Sequence, residues 1–107
     1  MEPIRISPLE AYRRAKDGNA ILVCAYPDEE TCSKMRLQGA ITRTEFQDRL
    51  SEVKKGQEII FYCAWPGEAT SAGQAMKYMM MGYTNVKFLN GGVEGWKKAG
   101  YEIVGEP

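Results

Sequence analysis

The most informative absence in this sequence of 107 residues is histidine, which does not occur at all. Without an imidazole the chain cannot form a Ser-His-Asp triad, a Cys-His pair or a histidine metal site. The three cysteines, Cys24, Cys32 and Cys63, have no C-x-x-C spacing and are odd in number, which disfavours a zinc ribbon or a complete disulfide framework. We therefore expect three reduced thiols and no bound metal.

Other absences limit the partners and the compartment. The 14 basic and 14 acidic residues balance, and no basic run or acidic tail indicates nucleic-acid binding. No apolar stretch is long enough to span a membrane, and the start, Met1-Glu2-Pro3-Ile4, lacks the basic and then apolar plan of a signal peptide. We expect a single domain over residues 1–107 in the cytoplasm, with no nucleic-acid or membrane partner. The oligomeric state stays open.

Short apolar runs alternate with helical patterns along the chain. The runs Ala20–Ala25 and Ile59–Tyr62 predict strands that are covered on both faces, as in a parallel sheet. Ser7 is placed to cap a first helix, and Thr44 with Gln47 fits the capping box of another. The alternation predicts an α/β domain with a central, mainly parallel sheet flanked by helices. Its ligand site should lie at the C-terminal ends of the strands.

One cysteine stands where a strand, a loop and a helix meet. Cys63 follows the predicted strand Ile59–Tyr62 and precedes a turn with Pro and Gly, and helical spacing begins at about Ser71. A helix start offers backbone N–H groups and the positive end of its dipole, which favour the nucleophilic thiolate. Cysteine also fills space in cores, but this setting favours a catalytic nucleophile.

Several stretches, spread over almost the whole chain, together carry a resemblance to a known family. They are Ile6-Ser7-Pro8-Leu9-Glu10, Ile21-Leu22-Val23, Gly39-Ala40-Ile41, Tyr62-Cys63 with its loop, and Gly82-Tyr83-Thr84-Asn85-Val86 followed by Leu89-Asn90-Gly91-Gly92 and Trp96. With them the chain resembles the single-domain rhodanese-like sulfurtransferases. The resemblance implies a three-layer rhodanese-like fold in which Cys63 accepts sulfane sulfur as a persulfide and passes it to a thiol or other acceptor.

The resemblance also implies what surrounds the sulfur. Backbone N–H groups after the cysteine would hold the persulfide, so the candidate substrate-binding residues are Ala64, Trp65, Gly67, Glu68, Ala69 and Thr70. The implied partners are a sulfane-sulfur donor and a thiol acceptor, each a small molecule or a protein. The chemistry implies neither a metal nor an organic cofactor.

The loop departs from the family pattern Cys-x-x-Gly-x-Arg-Ser. Counted without a gap, Glu68 stands at the arginine position; if Ser71 is aligned with the family serine, Thr70 stands there instead. A guanidinium binds dianions through paired hydrogen bonds, so its loss predicts weak use of thiosulfate. A less charged donor, such as a low-molecular-weight or protein persulfide, is favoured.

A second departure follows the second strand, where the family's Asp-x-Arg is replaced by Cys24-Ala25-Tyr26. Because the second and fourth strands end side by side in this family, Cys24 could resolve a Cys63 persulfide as a disulfide. The alternative is a buried structural cysteine.

Two other functions stay open beside sulfur transfer. A degenerate domain of this family could act as a binding or sulfur- and redox-sensing module, which the missing arginine supports and the retained Cys63 opposes. Cysteine-dependent phosphatases share the fold, but they use a loop arginine to neutralise the developing charge. The phosphatase alternative is therefore ranked last.

Overall fold

The computed structural model describes residues 3–63 and 69–104. Each strand is followed by helix, as the sequence pattern predicts, with two α-helices and a short 3-10 helix, Leu50–Glu52, between the second and third strands. Their bounds are β1 Ile4–Ile6, α1 Pro8–Lys16, β2 Ala20–Cys24, α2 Glu29–Lys34, α3 Arg43–Arg49, β3 Glu58–Tyr62, α4 Ala69–Met80, β4 Val86–Leu89 and α5 Gly92–Lys98. Within the same ranges, no helix combines the length and the apolar character needed to cross a membrane.

The four strands form one parallel sheet in the order β1-β4-β3-β2. β3 therefore lies between two neighbours, and all five of its residues are buried. One further parallel bridge, between Val23 and Ile41, adds a short extension beside β2. Since parallel strands end at the same edge, the C-terminal ends of β2 and β3 are adjacent, as the predicted site requires.

Helices cover both faces of the sheet, and the alternation along β3 divides its side chains between them. Ile60 and Tyr62 pack in one core cluster, with Ala11 of α1 and Trp96 of α5. Ile59 and Phe61 pack in the other, together with Phe46 of α3 and with Ala75 and Tyr78 of α4. We call these two sides the Trp96 face and the Phe46 face. The predicted architecture, a parallel sheet between helices, is confirmed.

Helix capping follows the sequence at α1 but not at α3. The Ser7 hydroxyl accepts the Glu10 backbone N–H at 3.2 Å, as predicted. The prediction of a box between Thr44 and Gln47 is wrong, because the capping box is formed two residues earlier, between Thr42 and Glu45. The bridge of Ile41 to β2 ends the extended segment there, so the helix can begin at once.

The turn after β4 brings α5 against the end of β3. Gly91 and Gly92 both have positive φ, +79° and +56°, a backbone conformation that glycine adopts readily and that residues with a Cβ rarely adopt. α5 then passes so close to the turn that a Cβ on Gly95 would lie 2.7 Å from the Asn90 carbonyl oxygen. This approach lets the Val93 backbone N–H donate to the Cys63 carbonyl at 2.9 Å.

Two glycine substitutions test this packing. Gly95→Ala should lower the free energy of unfolding by about 1–3 kcal/mol, because the new methyl group meets backbone that cannot rotate away. Gly73→Ala is the matched control: Gly73 is exposed in α4 with nothing near its Cβ position, so the better helix former should raise stability by roughly 0.5–1 kcal/mol. Urea unfolding measures the free energy of unfolding of both variants. Equal changes in the two variants would contradict the close approach of Gly95 to the Asn90 carbonyl.

Candidate active site

Cys63 lies at the C-terminal end of the central strand. It follows the last residue of β3 directly, and only 2% of its surface is exposed. Its Sγ is 3.6 Å from the Oγ of Ser71, in the first turn of α4, and either atom can be the donor. The predicted setting, a cysteine between a strand end and a helix start, is confirmed.

The predicted substrate-binding residues fall into two groups. Ala64, Trp65, Gly67 and Glu68 lie outside the described residues. Ala69 and Thr70 open α4, and both are exposed. The binding roles of all six stay predictions.

Cys24 and Cys32 form a disulfide, so the expectation of three reduced thiols is wrong. Cys24 ends β2 and Cys32 lies in α2, and the chain between them turns back so that their Cα atoms are 5.8 Å apart. That separation falls in the usual range for a disulfide. A spacing of eight residues does not reveal it, since the separation depends on how the segment between them folds.

The disulfide and Cys63 lie on opposite faces of the sheet. Cys24 and Cys32 pack in the Trp96-face cluster, whereas the Cys63 sulfur points to α4, which covers the Phe46 face. The resolving role of Cys24 stays a prediction. In this arrangement it would require the disulfide to open and the Cys24 thiol to reach the other face.

Tyr62 joins the segment that follows α2 to the strand that ends before Cys63, and sequence reasoning treated it only as part of an apolar run. Its hydroxyl donates to the Met35 carbonyl at 3.3 Å and accepts the Leu37 backbone N–H at 3.4 Å. Burial raises the pKa of Tyr62 to about 12, so the hydroxyl stays protonated and keeps both bonds at neutral pH. The end of β3 is thereby fixed from the Trp96 face.

The described residues offer no metal-binding cluster. Across residues 3–63 and 69–104, no three His, Cys, Asp or Glu side chains are gathered in a way that could hold an ion.

The number of cysteines outside the disulfide can be measured by alkylation. Alkylation of the denatured protein without reductant should modify one cysteine, Cys63, and after reduction it should modify three. The double variant Cys24→Ser/Cys32→Ser should lose about 2–3 kcal/mol of unfolding free energy, the loop-closure value for a crosslink of this span. Stability of the double variant should no longer respond to reductant. Three modified cysteines before reduction would contradict the disulfide.

Comparison with known proteins identifies the family of this fold. A family model described as the rhodanese-like domain matches residues 7–99. Among curated proteins, no sequence matches the chain.

Several solved structures share the fold. The Alr3790 protein from Anabaena sp. is 21% identical with a TM-score of 0.79, and the match covers 94% of this chain and 91% of that one. A thiosulfate sulfurtransferase from Pseudomonas aeruginosa is 19% identical with a TM-score of 0.80, over 96% of this chain and 20% of its own length. RPA3614 from Rhodopseudomonas palustris, described as of unknown function and a possible tyrosine phosphatase, is 19% identical with a TM-score of 0.73, over 94% and 84%.

Proposed function

The chain belongs to the rhodanese-like domain family, and we propose that it acts as a sulfurtransferase with Cys63 as the sulfur carrier. The observation that carries the proposal is the position of Cys63, a cysteine outside the disulfide, directly after the central strand and beside the first turn of α4. The thiosulfate sulfurtransferase among the structural relatives supports the same chemistry.

The reaction is a double displacement between sulfur atoms. The Cys63 thiolate attacks the sulfane sulfur of a persulfide donor; a new S–S bond forms on Cys63, and the donor thiolate leaves with the electron pair of the broken S–S bond. A thiolate acceptor then attacks the outer sulfur of the Cys63 persulfide, and Cys63 leaves as a thiolate. The two steps balance without an external oxidant or reductant.

The described surroundings of Cys63 suit a negative sulfur. The Ser71 hydroxyl can donate to it at 3.6 Å, and the N-terminal turn of α4 places the positive end of the helix dipole beside it. The Val93–Cys63 hydrogen bond and the bonds of the Tyr62 hydroxyl hold the backbone on either side of this position. Preorganised donors of this kind stabilise charge without rearranging during the reaction.

Redox sensing is the second candidate function, and the Cys24–Cys32 disulfide is the observation that favours it. A chain that responds to thiols through this pair would not require turnover at Cys63. Phosphatase activity remains third: the name of one structural relative suggests it, but the stretch from Cys63 to Ser71 contains no arginine.

Replacing the carrier sulfur tests the function directly. After exposure to glutathione persulfide, the unaltered protein should gain one reducible sulfur atom on Cys63, and Cys63→Ser should gain none, measured by intact mass with peptide mapping. The double variant Cys24→Ser/Cys32→Ser is the control that keeps Cys63 as its one cysteine, and it should still load. Full loading of Cys63→Ser would refute the assignment, and no loading of the unaltered protein would favour the sensing module.

Restoring the missing cation tests the donor preference. Thr70 is exposed in the first turn of α4, so Thr70→Arg should bring a guanidinium to the cysteine loop without burying it. We expect thiosulfate loading to rise by about tenfold, the effect of one charge-assisted hydrogen bond. Thr70→Gln is the uncharged control. An unchanged rate would show that charge at this position does not govern donor choice.

A further inference from the structure

A cation that sequence reasoning did not single out lies at the same edge of the sheet as Cys63. Arg43 is the first residue of α3, and its Nη1 donates to the Ala25 carbonyl at 3.3 Å. The helix start that positions it is well fixed, because Thr42 shares the capping box with Glu45 and its hydroxyl donates to Glu29 at 3.0 Å. The side chain is partly exposed, so a ligand can reach it.

The carbonyl that holds Arg43 is next to Cys63 in the sheet. Cys24 is the register partner of Tyr62, and the Ala25 backbone N–H donates to the Tyr62 carbonyl at 2.9 Å. One further step of this register sets Ala25 opposite Cys63, and neighbouring strands are about 4.8 Å apart. The carbonyl that binds the guanidinium therefore belongs to the strand next to the one that ends at Cys63.

Arg43 is also on the face to which the cysteine sulfur points. α3 packs its Phe46 ring against Phe61 and Tyr78, with ring centroids 5.8 and 5.3 Å apart. Burial raises the pKa of Tyr78, and the positive charge of Arg43 opposes that rise. The Cys63 sulfur faces Ser71 on the same helix as Tyr78.

The charge of Arg43 is not neutralised within residues 3–63 and 69–104, where no carboxylate lies within ion-pair distance of it. The nearby carboxylates have other partners: Glu29 accepts from Thr42, and Glu45 pairs with Arg36 at 3.4 Å. A guanidinium has five N–H donors, and the bond to Ala25 uses one of them. The remaining donors can bind an anion.

We propose that Arg43 binds the anionic end of the sulfur donor, and that this donor is an organic persulfide carrying a carboxylate. The proposal rests on the sulfur-transfer function proposed above. In thiosulfate the charged oxygens are bonded to the atom next to the sulfane sulfur, so during the reaction they stay close to the sulfur of Cys63. A carboxylate several bonds away can instead reach a guanidinium that is held by the neighbouring strand, where paired hydrogen bonds are available.

The experiment compares two donors that differ in charge. Single-turnover loading of Cys63 is followed by rapid quench and mass measurement over a range of concentrations of glutathione persulfide, which has carboxylates, and of 2-hydroxyethyl persulfide, which has none. Arg43→Gln should raise the half-saturating concentration of glutathione persulfide by about tenfold, the value of one charge-assisted hydrogen bond. Its maximal loading rate, and its use of the uncharged donor, should not change.

Two further variants separate binding from structure. Arg43→Lys keeps the charge but loses the planar fork, so its half-saturating concentration should fall between those of the unaltered protein and Arg43→Gln. Arg49→Gln removes an exposed arginine from the last turn of the same helix and should affect neither donor. Equal unfolding midpoints of the variants establish that the fold is intact.

The outcomes distinguish this proposal from the function on which it rests. If Cys63 loads from both donors and Arg43→Gln leaves glutathione persulfide unaffected, or weakens both donors equally, Arg43 does not recognise the donor charge. If neither donor loads the unaltered protein, sulfur transfer itself is refuted, and the assignment of Arg43 fails with it.

Discussion

The parallel pairing of β3 with β2 and β4 is the constraint on which the rest of the structure depends. All five residues of β3 are buried, so its backbone N–H and C=O groups must find partners in the two neighbouring strands rather than in water. Parallel pairing requires crossover helices, and these cover both faces. The same geometry carries Cys63 to the edge where β2 also ends and where the Ala25 carbonyl accepts a hydrogen bond from Arg43.

The pleat of β3 separates the cysteines into two environments. Tyr62 points to the Trp96 face, where the Cys24–Cys32 disulfide also packs, and the Cys63 sulfur points to α4 on the other face. A disulfide between β2 and α2 leaves the Cys63 thiol outside that pair. Sulfur transfer and thiol sensing can therefore be distinguished by experiment, because sulfur loading requires Cys63 and the proposed sensing requires the Cys24–Cys32 pair.

The distance between an arginine and the sulfur of Cys63 determines which sulfur donors the proposed site suits. An arginine in the cysteine loop would place a guanidinium at the reacting sulfur, which suits a small dianion. This chain has none between Cys63 and Ser71, and Arg43 is held by the Ala25 carbonyl on the next strand. For the proposed sulfur transfer, a cation at this position favours a longer donor, in which the anionic group is several bonds away from the sulfane sulfur.

Local signals in the sequence determined the α/β class, the buried strands, the Ser7 cap and the junction at Cys63, because periodicity and capping involve residues close along the chain. Three features were decided only by the tertiary structure. The Cys24–Cys32 disulfide needed a particular path of the segment between them, and the position of the N-cap of α3 at Thr42 followed from the bridge of Ile41 to β2. Arg43 stands 20 residues before Cys63 in the sequence. Its hydrogen-bond partner, the Ala25 carbonyl, comes next to the strand that ends at Cys63 only through the pairing of β2 with β3, which a local sequence pattern does not specify.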